Sequence, residues 1–188
     1  MQYSDFDPGQ RRILVCLDLV RQIDLPAEAD PRSGEALRIN NCRRILNYGR
    51  DLQWGVTHVL DHTVRGGRRA RAIPGLEPLQ IEPVHYRTGV SAFSNRRFRE
   101  SLDEAPGVEL VLLSLFLSPA CLATALAARD RGFAVSLVED VVDDTPDAAM
   151  GIGAIETLSH SLAAPFVKVL QTDDLVVMRE RLHLVQGV

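Results

Sequence analysis

A chain of 188 residues, 46% hydrophobic and 24% charged, is long enough to bury about 70% of the surface it exposes when unfolded. One globular domain spanning residues 1–188 is therefore expected, with no need of a disulfide staple. The formal net charge of −4 argues against a nucleic-acid surface, which needs a basic field, and leaves a small molecule as the expected partner. The one basic run, Arg65 to Arg71, carries two glycines and no aromatic residue, and reads as a solvated loop. Cys16, Cys42 and Cys121 are odd in number and without CxxC spacing, so neither a disulfide framework nor a zinc site is implied. The N-terminus MQYSDFDPGQRR has no apolar signal segment, and the longest apolar run, Val108 to Cys121, is broken by Glu109, Ser114, Ser118 and Pro119. No membrane span and a reduced, cytoplasmic setting are expected.

In chain order, Ile13 to Leu17 (ILVCL) reads as a first strand ending on Asp18. A Pro-, Asp- and Gly-rich segment follows, then a helix over Glu35 to Gln53 and a second strand over Gly55 to Leu60. Asp61 to Pro83 reads as an irregular stretch, long enough to be a functional loop. Arg96 to Asp103 reads as helical, and Val108 to Leu115 as an apolar strand in a central parallel position. Ser118 is a good N-cap for the next helix, and Pro119 fits its first turn, where a missing donor costs nothing. Gly132 ends that helix after Arg129 and Arg131, which suit its negative end. Phe133 to Val138 is another strand, ending on Glu139-Asp140; Asp147 to Ala163 is helical, Pro165 to Leu170 a short strand, and Thr172-Asp173 caps a final helix. Strands alternating with helices predict an α/β fold: a three-layer α/β/α sandwich around a roughly six-stranded, mostly parallel, Rossmann-like sheet.

In such a sheet, ligands bind outside the carboxyl ends of the strands. Asp18, the segment Ser118 to Cys121, and Asp140 are placed there. A carboxylate half desolvated at a strand end can serve as a general acid or base, and it can equally cap the following turn. Cys121, in the first turn of a helix, is a candidate nucleophile. It also lies between an apolar strand and an apolar helix face, as a buried inert thiol would. Asp61-His62 lacks a further ligand at useful spacing, so no metal site is expected, and no cofactor. His85 and His160 read as hydrogen-bonded core or surface residues, Cys16 and Cys42 as core filler. Gly151-Ile-Gly153 follows no strand and is not a dinucleotide fingerprint.

The motif SAF (Ser91 to Phe93), the run LATALAARDRGFAVSLVED (Leu122 to Asp140) and the opening ILVCLD together resemble the isochorismatase-like, or cysteine hydrolase, superfamily. The resemblance implies a working Asp, Lys and Cys. Asp18 matches the first. Six residues before Phe93 stands Arg87, where the family carries lysine; it keeps the charge but is no proton donor. Four residues before the Thr124-Ala125 pair stands Ala120, with Cys121 one residue late, a rotation of about 100° on a helix. True isochorismatases resemble this chain in having a small residue there, and cleave a vinyl ether without a protein nucleophile. By the same resemblance Asp18, Arg87 and Cys121 are the catalytic candidates. Phe93, Leu117, Ser118, Ala120 and His62 are expected to line the substrate cleft, and a homo-oligomer (dimer or tetramer) is expected. Three readings follow: a hydrolase of a small carboxylate or amide with Asp18 as general acid/base; a catalytically silent binding module; and a cysteine amidohydrolase using Cys121.

Overall fold

The computed structural model describes residues 10–22, 33–64, 70–115, 118–138 and 167–176. The expected helix over Asp147 to Ala163, together with Leu117, Asp140, His160 and Gly151 to Gly153, lies outside them. The long apolar runs become the middle of the sheet. β1 (Arg12–Leu17) and β6 (Glu109–Leu113) lie side by side, Leu14 opposite Val111 and Cys16 opposite Leu113, and β6 is buried along its whole length. A strand covered on both faces has no solvent side, so its sequence shows no polar alternation. Outward from this pair run β3 (Gly55–Asp61) and β5 (Val84–Arg87) on one flank, and β7 (Ala134–Val138) and β8 (Lys168–Leu170) on the other. The order is β5-β3-β1-β6-β7-β8, and every neighbouring pair is parallel.

The helices cover both faces, giving the three expected layers. α1 (Gly34–Asp51) and the short α4 (Thr172–Val176) pack together. α2 (Arg96–Asp103) and α3 (Pro119–Asp130) share the other face with a 3-10 turn at Ala92–Ser94. Right-handed crossovers require this division, because the chain leaves β1 toward β3 but leaves β6 toward β7. Local chemistry sets the helix ends. The Ser118 hydroxyl accepts the Cys121 N–H at 3.2 Å, Pro119 opens α3, and Gly132 follows it at φ +82°. Ser33 and Asn95 cap α1 and α2 in the same way. Thr172 is the first residue of α4 rather than a cap before it.

Three expectations need correction. The stretch from Asp61 to Pro83 is not irregular throughout: β4 (Ala70–Ala72) pairs antiparallel with β2 (Val20–Gln22) as a ribbon apart from the main sheet. Three-residue strands are too short to show a period of two. Arg71, expected in a solvated loop, is partly buried in β4; residues 65–69 lie outside the described residues. His85 is buried edge-to-face on Phe98 at 5.6 Å, with its Nε2 unpaired rather than hydrogen-bonded. Cys16 and Cys42 are buried in the core, as the sequence predicts.

One buried network ties α1 to β3 and the loop ahead of β5. Arg50 donates through Nε to Glu82 Oε1 (2.7 Å) and through Nη2 to Oε2 (2.8 Å); the Leu79 N–H and His58 Nε2 reach the same Oε2 at 2.9 and 3.1 Å. Burial alone would raise the Glu82 carboxyl, but these donors outweigh it and bring it down from 4.5 to about 2. Burial lowers the His58 ring despite the opposing pull of Glu82. In both cases the unfolded chain binds more protons than the folded one, so stability falls with acidification. The His58 contribution is whole above about pH 6.5 and declines below it. That of Glu82 is whole above its unfolded value near 4.5 and is lost toward pH 2, by up to about 3 kcal/mol. Urea midpoints are expected to drop between pH 7.5 and 5.5 and again below 4.5. Glu82→Gln is expected to remove the second drop, and an unchanged profile in that variant would contradict this assignment.

Candidate active site

The strand order reverses between β1 and β6, and this is where an open parallel sheet leaves a crevice at its carboxyl edge. A cleft of about 450 Å³ lies there, lined by Asp18, Asp61, Arg87, Ser118 and Ala120, with Thr88–Val90 as one wall. Asp18 terminates β1 in the left-handed region (φ 48°), a conformation that Asp tolerates better than most residues. Its N–H still completes the ladder to the Val59 carbonyl at 3.0 Å, while its carbonyl accepts the Val20 N–H at 2.7 Å. The chain thus turns off the sheet at this residue and leaves its side chain at the strand end.

The carboxylate is held from both sides. Asp18 Oδ1 accepts the Asp61 N–H at 2.8 Å, and Oδ2 accepts Arg87 Nη2 at 2.8 Å. Arg87 Nη1 lies 3.1 Å from Asp61 Oδ2 and donates to the Gly89 carbonyl at 3.0 Å. One guanidinium therefore bridges two carboxylates, each singly, instead of forming a closed bidentate pair with Asp18. The register explains the meeting: β3 and β5 are parallel, with Asp61 opposite Arg87, and β3 lies beside β1. Burial would raise the Asp61 carboxyl. The Thr63 N–H and hydroxyl outweigh it, aided by Arg87 and His62, and hold it below the ordinary carboxylate value.

Ala120 and Ser118 stand in the cleft wall at the start of α3. Cys121 is only 1% exposed and does not line the cleft; its side chain belongs to the core cluster. Burial, with a smaller contribution from the negative charge of Asp18, pushes its thiol up to about 12. Thiolate is then a minute fraction at neutral pH, and thiolate is the nucleophilic form. Phe93, expected in the cleft, is 3% exposed and packs on Phe98 at 5.2 Å, with Arg131 over its ring at 4.6 Å. A large apolar ring gains more from that core position than from a polar cleft. The SAF segment instead anchors the cleft rim. The Ala92 N–H donates to the Thr124 hydroxyl at 2.9 Å, and the Ser94 hydroxyl accepts the Thr88 and Gly89 N–H groups at 3.2 and 3.0 Å. His62 lies in a 3-10 turn beyond β3, over half exposed, with Nδ1 3.5 Å from Asp61 Oδ1; it is not among the lining residues.

In the sequence, Asp61 reads as a polar strand end or, less favoured, a metal ligand, and not as a partner of Arg87. Its signal was available, since it ends β3 as Asp18 ends β1, but its partner Arg87 is fixed by strand register. Among the described residues no group of three His, Cys, Asp or Glu side chains could hold a metal ion, and no helix is long and apolar enough to cross a membrane.

The comparisons with known proteins agree with this architecture. Residues 12–174 match the family model "Isochorismatase domain". Among solved structures, an isochorismatase from Pseudomonas putida is similar at 26% identity and TM-score 0.68, covering 89% of this chain and 92% of that one. A cysteine hydrolase from Pseudomonas syringae pv. phaseolicola superposes at TM-score 0.73 and 15% identity, covering 91% and 93%. The N-carbamoylsarcosine amidase of Thermoplasma acidophilum does so at 0.67 and 19%, covering 87% and 98%. No curated protein matches the sequence significantly. With the match spanning most of its length and the six-stranded parallel sheet in place, the chain belongs to the isochorismatase family.

Proposed function

We infer that the protein hydrolyses a small carboxylate- or amide-type molecule, with Asp18 as general acid/base and Arg87 as its electrostatic partner, and without a thiol nucleophile. One observation carries the reading: Asp18 and Arg87 are ion-paired at 2.8 Å in a cleft whose α3 wall presents Ala120, while Cys121 is turned into the core. A carboxylate at the switch point can take a proton from water attacking a carbonyl carbon and return it to the leaving group. Arg87 offsets the charge that builds on it. Phe93 and His62 are left outside this proposal. A single domain over residues 1–188 and assembly into a dimer or tetramer belong to it, the latter checked by light scattering on the eluting protein. Turnover of amides, nitriles and isochorismate, each compared with Asp18→Asn, tests the reaction.

A specific observation favours a second reading, the silent binding module. Both Asp18 oxygens already accept a hydrogen bond, and Arg87 is shared with Asp61, so every charged group among the described cleft residues has a protein partner. Saturable ligand binding without turnover by the unmodified protein would select it. The thiol reading is addressed by substitution. Cys121→Ala is expected to keep turnover within about threefold, because a group with so little thiolate adds no nucleophile. Labelling by iodoacetamide is expected to be negligible until the protein is unfolded. Loss of activity by 100-fold in a folded Cys121→Ala would restore the cysteine mechanism.

A further inference from the structure

The cleft is lopsided in charge. Among its described lining residues Asp18 and Asp61 are acidic and Arg87 alone is basic, so two carboxylates face one guanidinium. The other lining groups are neutral, with the exposed Val90 together with Pro119 and Ala120 as their apolar part. His62 Nδ1 lies 3.5 Å from Asp61 Oδ1 but does not line the cleft. Arg87, in turn, is fully engaged. Its Nη2 holds Asp18 at 2.8 Å, and its Nη1 faces Asp61 at 3.1 Å and donates to the Gly89 carbonyl at 3.0 Å. Its Nε is buried, closed to solvent and without a partner. A carboxylate is best gripped by two parallel guanidinium N–H groups. Such a grip on a ligand would require Asp18 or Asp61 to let go.

We propose that Asp61 sets the charge selectivity of the cleft, which takes an amide without a carboxylate group, neutral or cationic, and discriminates against an anionic one. The amide itself rests on the hydrolase reading given above; the charge preference does not. A lone Asp18–Arg87 pair would leave the cleft without surplus charge, and Asp61 adds one negative charge while occupying the second end of the guanidinium. The three side chains are only 28%, 12% and 31% exposed for Asp18, Arg87 and Asp61, so water screens them incompletely. A ligand carboxylate meets like charge there with no vacant cation to offset it, whereas an ammonium is attracted.

Succinamate, butyramide and 3-aminopropanamide are the probes, alike except for a carboxylate, methyl or ammonium group at the end remote from the amide. Each is titrated into the 15N-labelled full chain at pH 7.5, and binding is read from the Thr88, Gly89 and Val90 amide resonances. Butyramide and 3-aminopropanamide are expected to saturate, with succinamate at least about tenfold weaker than butyramide. The gap between the two charged amides is expected to narrow as salt is raised. Asp61→Asn keeps the shape and removes the charge. It is expected to bring succinamate within about threefold of butyramide while weakening 3-aminopropanamide, whereas a merely structural loss would weaken all three alike. Equal binding of succinamate and butyramide to the unmodified protein, an order indifferent to salt, or saturation by none of the three would overturn the proposal. So would an equal loss for all three in Asp61→Asn. The order and its salt dependence use the unmodified protein, so they stand even where Asp61→Asn does not fold. Amides that bind in this order without being hydrolysed would remove the proposed reaction and leave the charge selectivity standing.

Discussion

Asp18→Asn is expected to lower turnover by roughly 10²- to 10⁴-fold, the range typical of a lost acid/base group. The substitution preserves volume, and its carbonyl oxygen can keep the bond from the Asp61 N–H at the Oδ1 position. Its amide group then faces Arg87 Nη2, donor against donor, so the ion pair across the cleft is lost with the proton-transfer role. Arg87 still holds Asp61 and Gly89 through Nη1, which keeps the β5 end in place. The loss is therefore expected in kcat, with a melting temperature within a few degrees of the unmodified protein. Rates on the best substrate of the amide, nitrile and isochorismate panel, measured beside the thermal midpoint, check both halves. Turnover retained within threefold would remove Asp18 from the chemistry.

The largest stability effect is expected at the opposite end of the sheet. Arg12 Nε donates to Glu109 Oε2 at 2.8 Å, with the two side chains 3% and 10% exposed. The Ser136 hydroxyl donates to the other carboxylate oxygen, and the guanidinium lies 5.5 Å from the Trp54 ring centroid. This set joins the starts of β1, β6 and β7, where Arg12 lies opposite Glu109 and Glu109 opposite Ala134. Glu109→Ala removes the carboxylate partner of a buried cation that keeps only neutral contacts such as the Gln10 carbonyl at 3.2 Å among those described, a change that costs about 3–5 kcal/mol. At about 2–4 °C per kcal/mol for a chain of this size, the midpoint is expected to fall by roughly 6–20 °C. Replacing both partners with apolar residues (Arg12→Met with Glu109→Leu) is expected to recover most of the loss, since no charge is then left unpaired. Thermal and urea unfolding of the single and double variants gives the coupling directly. A Glu109→Ala protein within about 1 kcal/mol of the original would show that water or backbone shifts already satisfy Arg12.

How far the sequence could be read depended on whether a feature is local. The runs 13–17 and 109–113 announced themselves because a strand buried on both faces must be apolar throughout. The ends of α3 were legible for a similar reason: Ser118, Pro119 and Gly132 satisfy or relieve backbone groups within one turn. β5 escaped notice, since Val-His-Tyr-Arg is half buried and too short for a pattern. The ribbon of β2 and β4 escaped as well, its strands being three residues each.

For the site, the sequence by itself determined that Asp18 ends a buried strand, that Arg87 stands where the family carries lysine, and that Ala120 precedes Cys121. These are matters of order and spacing along the chain. Only the tertiary structure decided that Asp61 shares the Arg87 guanidinium with Asp18, because parallel register places Asp61 opposite Arg87 across strands far apart in sequence. Only it showed Phe93 and Cys121 in the core, since the direction of a side chain depends on which face of its element meets the sheet.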